Sequence, residues 1–317
     1  RDLNWISAND VAGPNGRITY TQWLDDAGLL QADLTVARLA EDRFLVVATD
    51  TAHRHVETWM KRHIPVDAHT VVTDVTSGYA QINIQGPRSR DLLQAVTAAD
   101  LSGEAFPFRT VREIAIGYAR IFCVRITYLG ELGYELYIPT EQATHVYDRL
   151  VAVGEGFGLR HAGLKALASL RMEKGYRDYG HDIDNTDNIY EAGLGFALDL
   201  EKPAGFLGKD AVLAHKAAGI PTRRLVQVLV QDPEPLLFHA EVLRRNGEAV
   251  GYVRAGSYGF TLGGAVGLAM VESDAPIKRA WLSDAKWEVE IAGRNFPAAV
   301  SLRPMYDPRA DRVKETQ

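Results

Sequence analysis

The chain has 317 residues, 46% of them hydrophobic and 24% charged, enough globular material for two or three cores. Thirty-five Lys and Arg against 41 Asp and Glu leave a formal charge of −6, with no basic run longer than an adjacent pair. That balance does not favour a polyanion and argues against nucleic acid as a partner. The one cysteine, Cys123, rules out an internal disulfide and fits a reducing compartment. No apolar run approaches the roughly 20 residues that a membrane helix needs, so no membrane is expected, and no signal peptide is read. The chain starts with Arg1, not Met, so a fragment or processed product is expected.

Arg17 to Leu24 alternates after a Pro14-Asn15-Gly16 turn, and Asp33 to Arg38 and Arg43 to Thr49 form a hairpin around residues 39–42. Thr51 is expected to cap a helix carrying Val56, Trp59 and Met60. Tyr79 to Ile84 reads as a strand, and Ser89 opens a short helix. A long strand from Glu113 to Tyr128 then pairs through residues 129–133 with Tyr134 to Ile138. Thr140 is expected to cap the next helix and Gly154 to stop it; another helix starts at Leu164. From about Arg223 the pattern is all strand, with Asn246-Gly247 the strongest hairpin signal and Gly293-Arg294-Asn295 a second one. Mixed strands and helices followed by strands alone predict an α+β protein with a separate small β-barrel or sandwich.

Several motifs fail on inspection. Gly205 to Lys209 is too short for a phosphate loop and is followed by Asp210 where a hydroxyl is needed. Gly193-Leu194-Gly195 lacks the third glycine of a dinucleotide fingerprint. Asp182 to Asp187 suggests a calcium loop, but Asp187 and Gly193 stand where the turn glycine and the bidentate glutamate belong. No metal is expected.

The remaining signal is collective. Ala8-Asn9-Asp10-Val11, Ile18-Thr19-Tyr20, Ala32-Asp33-Leu34-Thr35-Val36, Ile84-Gln85-Gly86-Pro87 and Tyr128 to Glu135 come first. Leu170-Arg171-Met172-Glu173, Glu191-Ala192-Gly193-Leu194 and Phe206-Leu207-Gly208-Lys209 follow in order. This set resembles the glycine-cleavage T-protein (aminomethyltransferase) family across nearly the whole chain. Phe106-Pro107-Phe108, Glu173 to Arg177 and Gly180 to Asp187 are most similar to the folate-binding half of sarcosine and dimethylglycine dehydrogenases and oxidases. The resemblance implies a three-lobed cloverleaf, N-terminally incomplete here. One lobe would be 1–73 with 182–217, another 74–175, and a C-terminal barrel 221–317. It implies tetrahydrofolate as cofactor and a one-carbon donor as the other partner. FAD would lie only in a partner or a missing N-terminal flavin domain, and the location would be bacterial cytoplasm or mitochondrial matrix.

Roles follow from the resemblance position by position. Asp33 matches the catalytic carboxylate, Tyr20 lines the pterin site, Glu135 binds the pterin edge and Tyr128 packs near it. Arg171 recurs in the pattern, with a salt bridge to Glu173 or a nearby carboxylate an equal alternative. The chemistry suits these residue types, because a pterin presents an N–H beside an NH₂ and one carboxylate can accept both. A second carboxylate can hold the folate amine and take its proton. Ala37, Leu167 and the Ala105-Phe106 pair depart from many T-proteins, which favours the dehydrogenase type over a lipoyl-carrier aminomethyltransferase. The same residues taken singly also read as a strand-end Asp, a solvent-facing Glu and packing tyrosines.

Overall fold

Period-2 alternation resolves, in a computed structural model describing residues 1–314, into two open antiparallel sheets and a closed barrel. After a short helix α1 (Asp2–Ile6), strands β1 (Ile18–Leu24), β2 (Leu30–Arg38) and β3 (Phe44–Ala48) form the first sheet, in that order. The hairpin between β2 and β3 closes where the Leu39 and Ala40 amides donate to Arg43 O. One face of this sheet carries Trp23, Ala32, Leu34 and Val36 onto Val56 and Trp59 of helix α2 (His53–His63). Thr51 does not cap that helix. A 3₁₀ turn over Asp50–Ala52 leads into it, and the Asp50 carboxylate takes the Thr51 amide at 2.8 Å.

The second sheet contains β4 (Tyr79–Gln85), then, after helix α3 (Ser89–Gln94), β5 (Thr110–Ile116), β6 (Ala119–Arg125) and β7 (Gly133–Pro139), in the order β4-β7-β6-β5. The single strand expected over 113–128 is therefore two. The chain reverses at Gly117-Tyr118, where Gly117 has φ +59°, a conformation glycine adopts at little cost. Ile114, Ile116, Ile121, Cys123, Leu136 and Ile138 pack on Val146 and Leu150 of helix α4 (Ala143–Gly154). Cys123 is thus a core residue, its thiol pKa pushed up by burial. Thr140 is not a cap either. Its hydroxyl donates to Ser77 O at 2.8 Å, and a 3₁₀ turn over Thr140–Gln142 opens the helix.

Helices α5 (Leu164–Glu173) and α6 (Lys209–Ala217) precede the barrel. Its strands are β8 (Arg223–Val230), β9 (Val242–Arg245), β10 (Glu248–Gly259), β11 (Gly264–Glu272), β12 (Trp287–Ile291) and β13 (Arg294–Ser301), with helix α7 (Arg279–Ser283) before β12. The closed order β10-β11-β8-β13-β12-β9 leaves no unpaired edge. Asn246 and Gly247 both have positive φ, as a type I′ hairpin turn requires. The other hairpin turns at Ala292-Gly293, one residue before the expected place. Helix α5 docks on the barrel through its C-terminal end. Glu173 accepts the amides of Thr261 (2.7 Å) and Leu262 (2.9 Å), while the Gln227 side chain donates to Met172 O and Glu173 O and accepts the Met305 amide. Among the described residues no helix is long and apolar enough to cross a membrane.

Candidate functional site

Asp33 lies in the middle of β2, not at a strand start as expected, and pairs with Gln22 of β1. Paired residues of an antiparallel ladder project to the same face, and Gln22 Nε2 donates to Asp33 Oδ1 at 2.7 Å. Tyr20 stands two residues earlier on that face and hydrogen-bonds Asp33 as well. Burial raises the Asp33 carboxyl to about 6, opposed by the bonds from Tyr20 and Gln22 and by the charge of Arg177. The Tyr20 phenol is held well above its ordinary value by burial and then by the Asp33 charge. Its ring stacks on Phe196 at 6.1 Å.

Arg177 completes this group. Desolvation lowers its pKa, with Tyr20, Asp182 and Asp33 acting in the opposite direction. Its guanidinium donates to Gly175 O (2.5 Å) and Ala192 O (3.1 Å). Tyr128 leaves the sheet after β6 and donates its hydroxyl to Arg177 O at 2.7 Å, with its ring stacked on Tyr176 at 6.2 Å. Burial raises its phenol pKa.

Glu135 sits on β7 between Asn83 of β4 and Val124 of β6. It is not a solvent-facing strand residue: burial raises its carboxyl pKa, partly offset by the Tyr137 hydroxyl, which donates to Oε2 at 2.8 Å. Tyr137 and Val124, on the same face as Glu135, share one apolar cluster with Ile18 and Ala37 of the first sheet. Ile18 and Ala37 are in turn on the face that carries Tyr20, Gln22 and Asp33. The two carboxylates therefore stand on facing surfaces of two sheets. A β-bridge between Arg17 and Thr110 stitches the sheets together at one end.

Arg171 is engaged elsewhere. Both of its guanidinium NH groups bond the buried Asp182 carboxylate, and NH1 also donates to Tyr176 O at 3.0 Å. Of the two alternatives, the nearby carboxylate is the partner, and it is not Glu173. Asp187 is bound by Arg223 (2.7 Å) and Arg254 (2.5 Å), so the carboxylates at both ends of the calcium-like segment are held by arginines. Gln22, Tyr137 and Arg177 are site residues that the sequence reading passed over. Gln22 and Tyr137 each lie two residues beyond a residue already singled out, on the same strand face. Arg177 stood inside a quoted run without a role.

The residues suit a flat ligand rich in hydrogen-bond donors. Among the described residues neither Asp33 nor Glu135 has an ion-pair partner within 4 Å, and Gln22 Oε1 is buried without a hydrogen bond. Acceptors withdrawn from water in this way are costly until donors reach them, and the aromatic rings of Tyr20 and Tyr128 provide apolar walls.

Residues 1–202 match the GCVT N-terminal domain and residues 223–307 the glycine cleavage T-protein C-terminal barrel domain. The chain belongs to the glycine cleavage T-protein family. This T-protein chain is 42% identical to 4-methylaminobutanoate oxidase (formaldehyde-forming) of Paenarthrobacter nicotinovorans, over 99% of its own length and 39% of the relative's. It is 33% identical to mouse mitochondrial sarcosine dehydrogenase, over 98% of the chain and 35% of that protein. It thus spans between a third and two fifths of these relatives. The crystal structure of glycine cleavage system aminomethyltransferase T from Bartonella henselae superposes with a TM-score of 0.82 at 25% identity, covering 96% of this chain and 81% of that one. The three-lobed T-protein fold with its terminal barrel is therefore the fold of this chain.

Proposed function

We propose that this T-protein chain binds tetrahydrofolate between its two open sheets and forms 5,10-methylene-tetrahydrofolate from the one-carbon product of N-methyl amine oxidation. The carrying observation is the pair of half-buried carboxylates, Asp33 and Glu135, on facing sheets and, among the described residues, without ion-pair partners. Bound tetrahydrofolate supplies the amine nitrogen that accepts the one-carbon unit. Glu135, oriented by Tyr137, accepts the adjacent N–H groups of the pterin edge. Asp33 is steadied by Gln22 and Tyr20 and takes the amine proton on its carboxylate; with a pKa of about 6 it is ionised roughly tenfold over its acid form at pH 7. Tyr20 and Tyr128 wall the site. Arg171 acts through Asp182, ordering the segment that carries Tyr176 and Arg177. The oxidation itself, with FAD, belongs to a flavin domain or subunit outside the three lobes. Their proposed limits are 1–73 with 182–217, 74–175 and 221–317. The length by which the oxidase and dehydrogenase relatives exceed the match supports this reading.

Calorimetric titration of tetrahydrofolate into the protein and its Glu135→Gln variant tests the site. Charge-assisted bonds are worth roughly 1.5–3 kcal/mol each, so the variant is expected to bind about tenfold more weakly; equal binding would discard the assignment. Turnover is the second arm. Supplied with a flavin domain and an N-methyl amine, the chain should convert the released carbon to methylene-folate. Free formaldehyde in equal yield with and without the chain would count against capture. A free-standing aminomethyltransferase, the reading favoured by the Bartonella henselae likeness, would instead turn over a carrier-bound donor without any flavin.

A further inference from the structure

Away from the carboxylates, the protein has a cavity of about 490 Å³ across the outer end of the seam between the two sheets. It is bounded by the turn before β1 and the loop before β5, which are joined there by the Arg17–Thr110 bridge, the Ile18 amide on Arg109 O and the Val111 amide on Gly16 O. Three arginines line it, Arg17, Arg109 and Arg112, and none of the described lining residues is acidic. Arg112 donates to the carbonyls of Asp100 (2.9 Å) and Ala105 (3.2 Å) and lies over the Phe106 ring. The guanidinium groups of Arg17 and Arg109 have no hydrogen bond or ion pair among the described residues, and they repel each other. An anion between them would relieve that repulsion.

We propose that this cavity is a binding site for a small organic dianion, its two oxyanion groups carried on an apolar body, held by Arg17 and Arg109. Guanidinium groups grip carboxylate or phosphate bidentately. Those of Arg17 and Arg109 come from two separate segments, so each can take its own charged group. The apolar lining that water reaches, Pro14, Ala105, Pro107 and Phe108, calls for a carbon body between the charges, and a bare ion would leave it wet. The size falls in the ordinary range of small-molecule sites, about 300–1,000 Å³. A long polyanion is disfavoured by the net charge of −6.

None of the residues proposed to hold folate, Tyr20, Asp33, Tyr128 and Glu135, lines this cavity.

The test is calorimetric titration of the whole chain at low salt with three probes: phthalate, phenyl phosphate and inorganic phosphate. Phthalate or phenyl phosphate should bind saturably at one site, and whichever is tighter identifies the carboxylate or the phosphate source. Inorganic phosphate should bind at least about tenfold more weakly for want of the apolar contact. Arg17→Gln and Arg109→Gln should each weaken binding at least about tenfold, whereas Arg303→Gln, at an exposed arginine outside the cavity, should not. Neither guanidinium makes a bond that the fold needs, so the variants should melt with the parent. Tetrahydrofolate affinity should be unchanged in both. No saturable binding by any probe up to roughly 10 mM, about ten-thousandfold weaker than a micromolar site, would overturn the proposal. So would binding by the glutamine variants as tight as the parent's, or a matching loss of folate affinity.

Discussion

Asp33 has a raised pKa because its surroundings remove water faster than they supply charge. Gln22 and Tyr20 donate to it, but among the described residues no cation pairs with it directly, and Arg177 acts only through space. The folded protein therefore holds that proton more tightly than the unfolded chain, whose carboxyl titrates near 3.8. The associated stability is fully present below about pH 4 and is lost as pH rises through about 6. Asp33→Asn, which keeps the shape and cannot ionise, should accordingly stabilise the protein at pH 7 by about 1–3 kcal/mol. The gain should vanish near pH 4, as thermal melts at the two pH values would show. The same variant should lose methylene-folate formation by at least about a hundredfold, while the parent's rate climbs through pH 6 as the carboxylate ionises. A second residue-scale prediction concerns Arg171 and Asp182. Removing one member of a buried pair leaves an uncompensated charge or acceptor, so Asp182→Asn should destabilise by about 3 kcal/mol. Arg171→Met together with Asp182→Leu should cost less than that single change, which urea midpoints would decide.

At the scale of elements, alternation in the sequence marked β1, β2, β3, β4 and the barrel hairpins because one face of each is buried and the turns use residues suited to positive φ, Asn246-Gly247 above all. It did not show the break between β5 and β6. Apolar alternation runs straight through Gly117-Tyr118, and that dipeptide is not a characteristic hairpin pair. What requires glycine at the turn is partly tertiary: a Cβ on Gly117 would lie 2.3 Å from His145 Nε2 of α4, at φ +59°. Gly117→Ala should therefore destabilise by about 1–3 kcal/mol, and Gly117→Ala with His145→Ala should recover the steric part only. The helix starts were misjudged for a related reason. Threonines at 51 and 140 have cap chemistry, but a 3₁₀ turn precedes each helix and neither start carries a side-chain cap hydrogen bond. Asp33 and Glu135 were found through the pattern they share with the T-protein family. Gln22, Tyr137 and Arg177 matter only through distances across strands and loops, which no linear spacing displays.

For the molecule as a whole, the apolar clusters do not coincide with the two matched family segments. One cluster joins Leu24, Leu30, Met172, Ile189 and Leu194 to Leu225, Val266 and Leu268 of the barrel. Across the same boundary run the Arg223 and Arg254 bonds to Asp187, the Glu173 clasp and the Gln227 amide. Amide hydrogen exchange should accordingly show α5, residues 182–192 and strands β8 and β11 opening together, with the β4–β7 sheet free to open at a different free energy. Exchange of the barrel as an independent unit would contradict that coupling.

The Gln227 side chain has a practical corollary. A single nick by protease in the exposed stretch around 217–221 would sever the covalent link ahead of the barrel without removing any of those crossing bonds. The two fragments should then co-elute as one particle on gel filtration and separate only in denaturant.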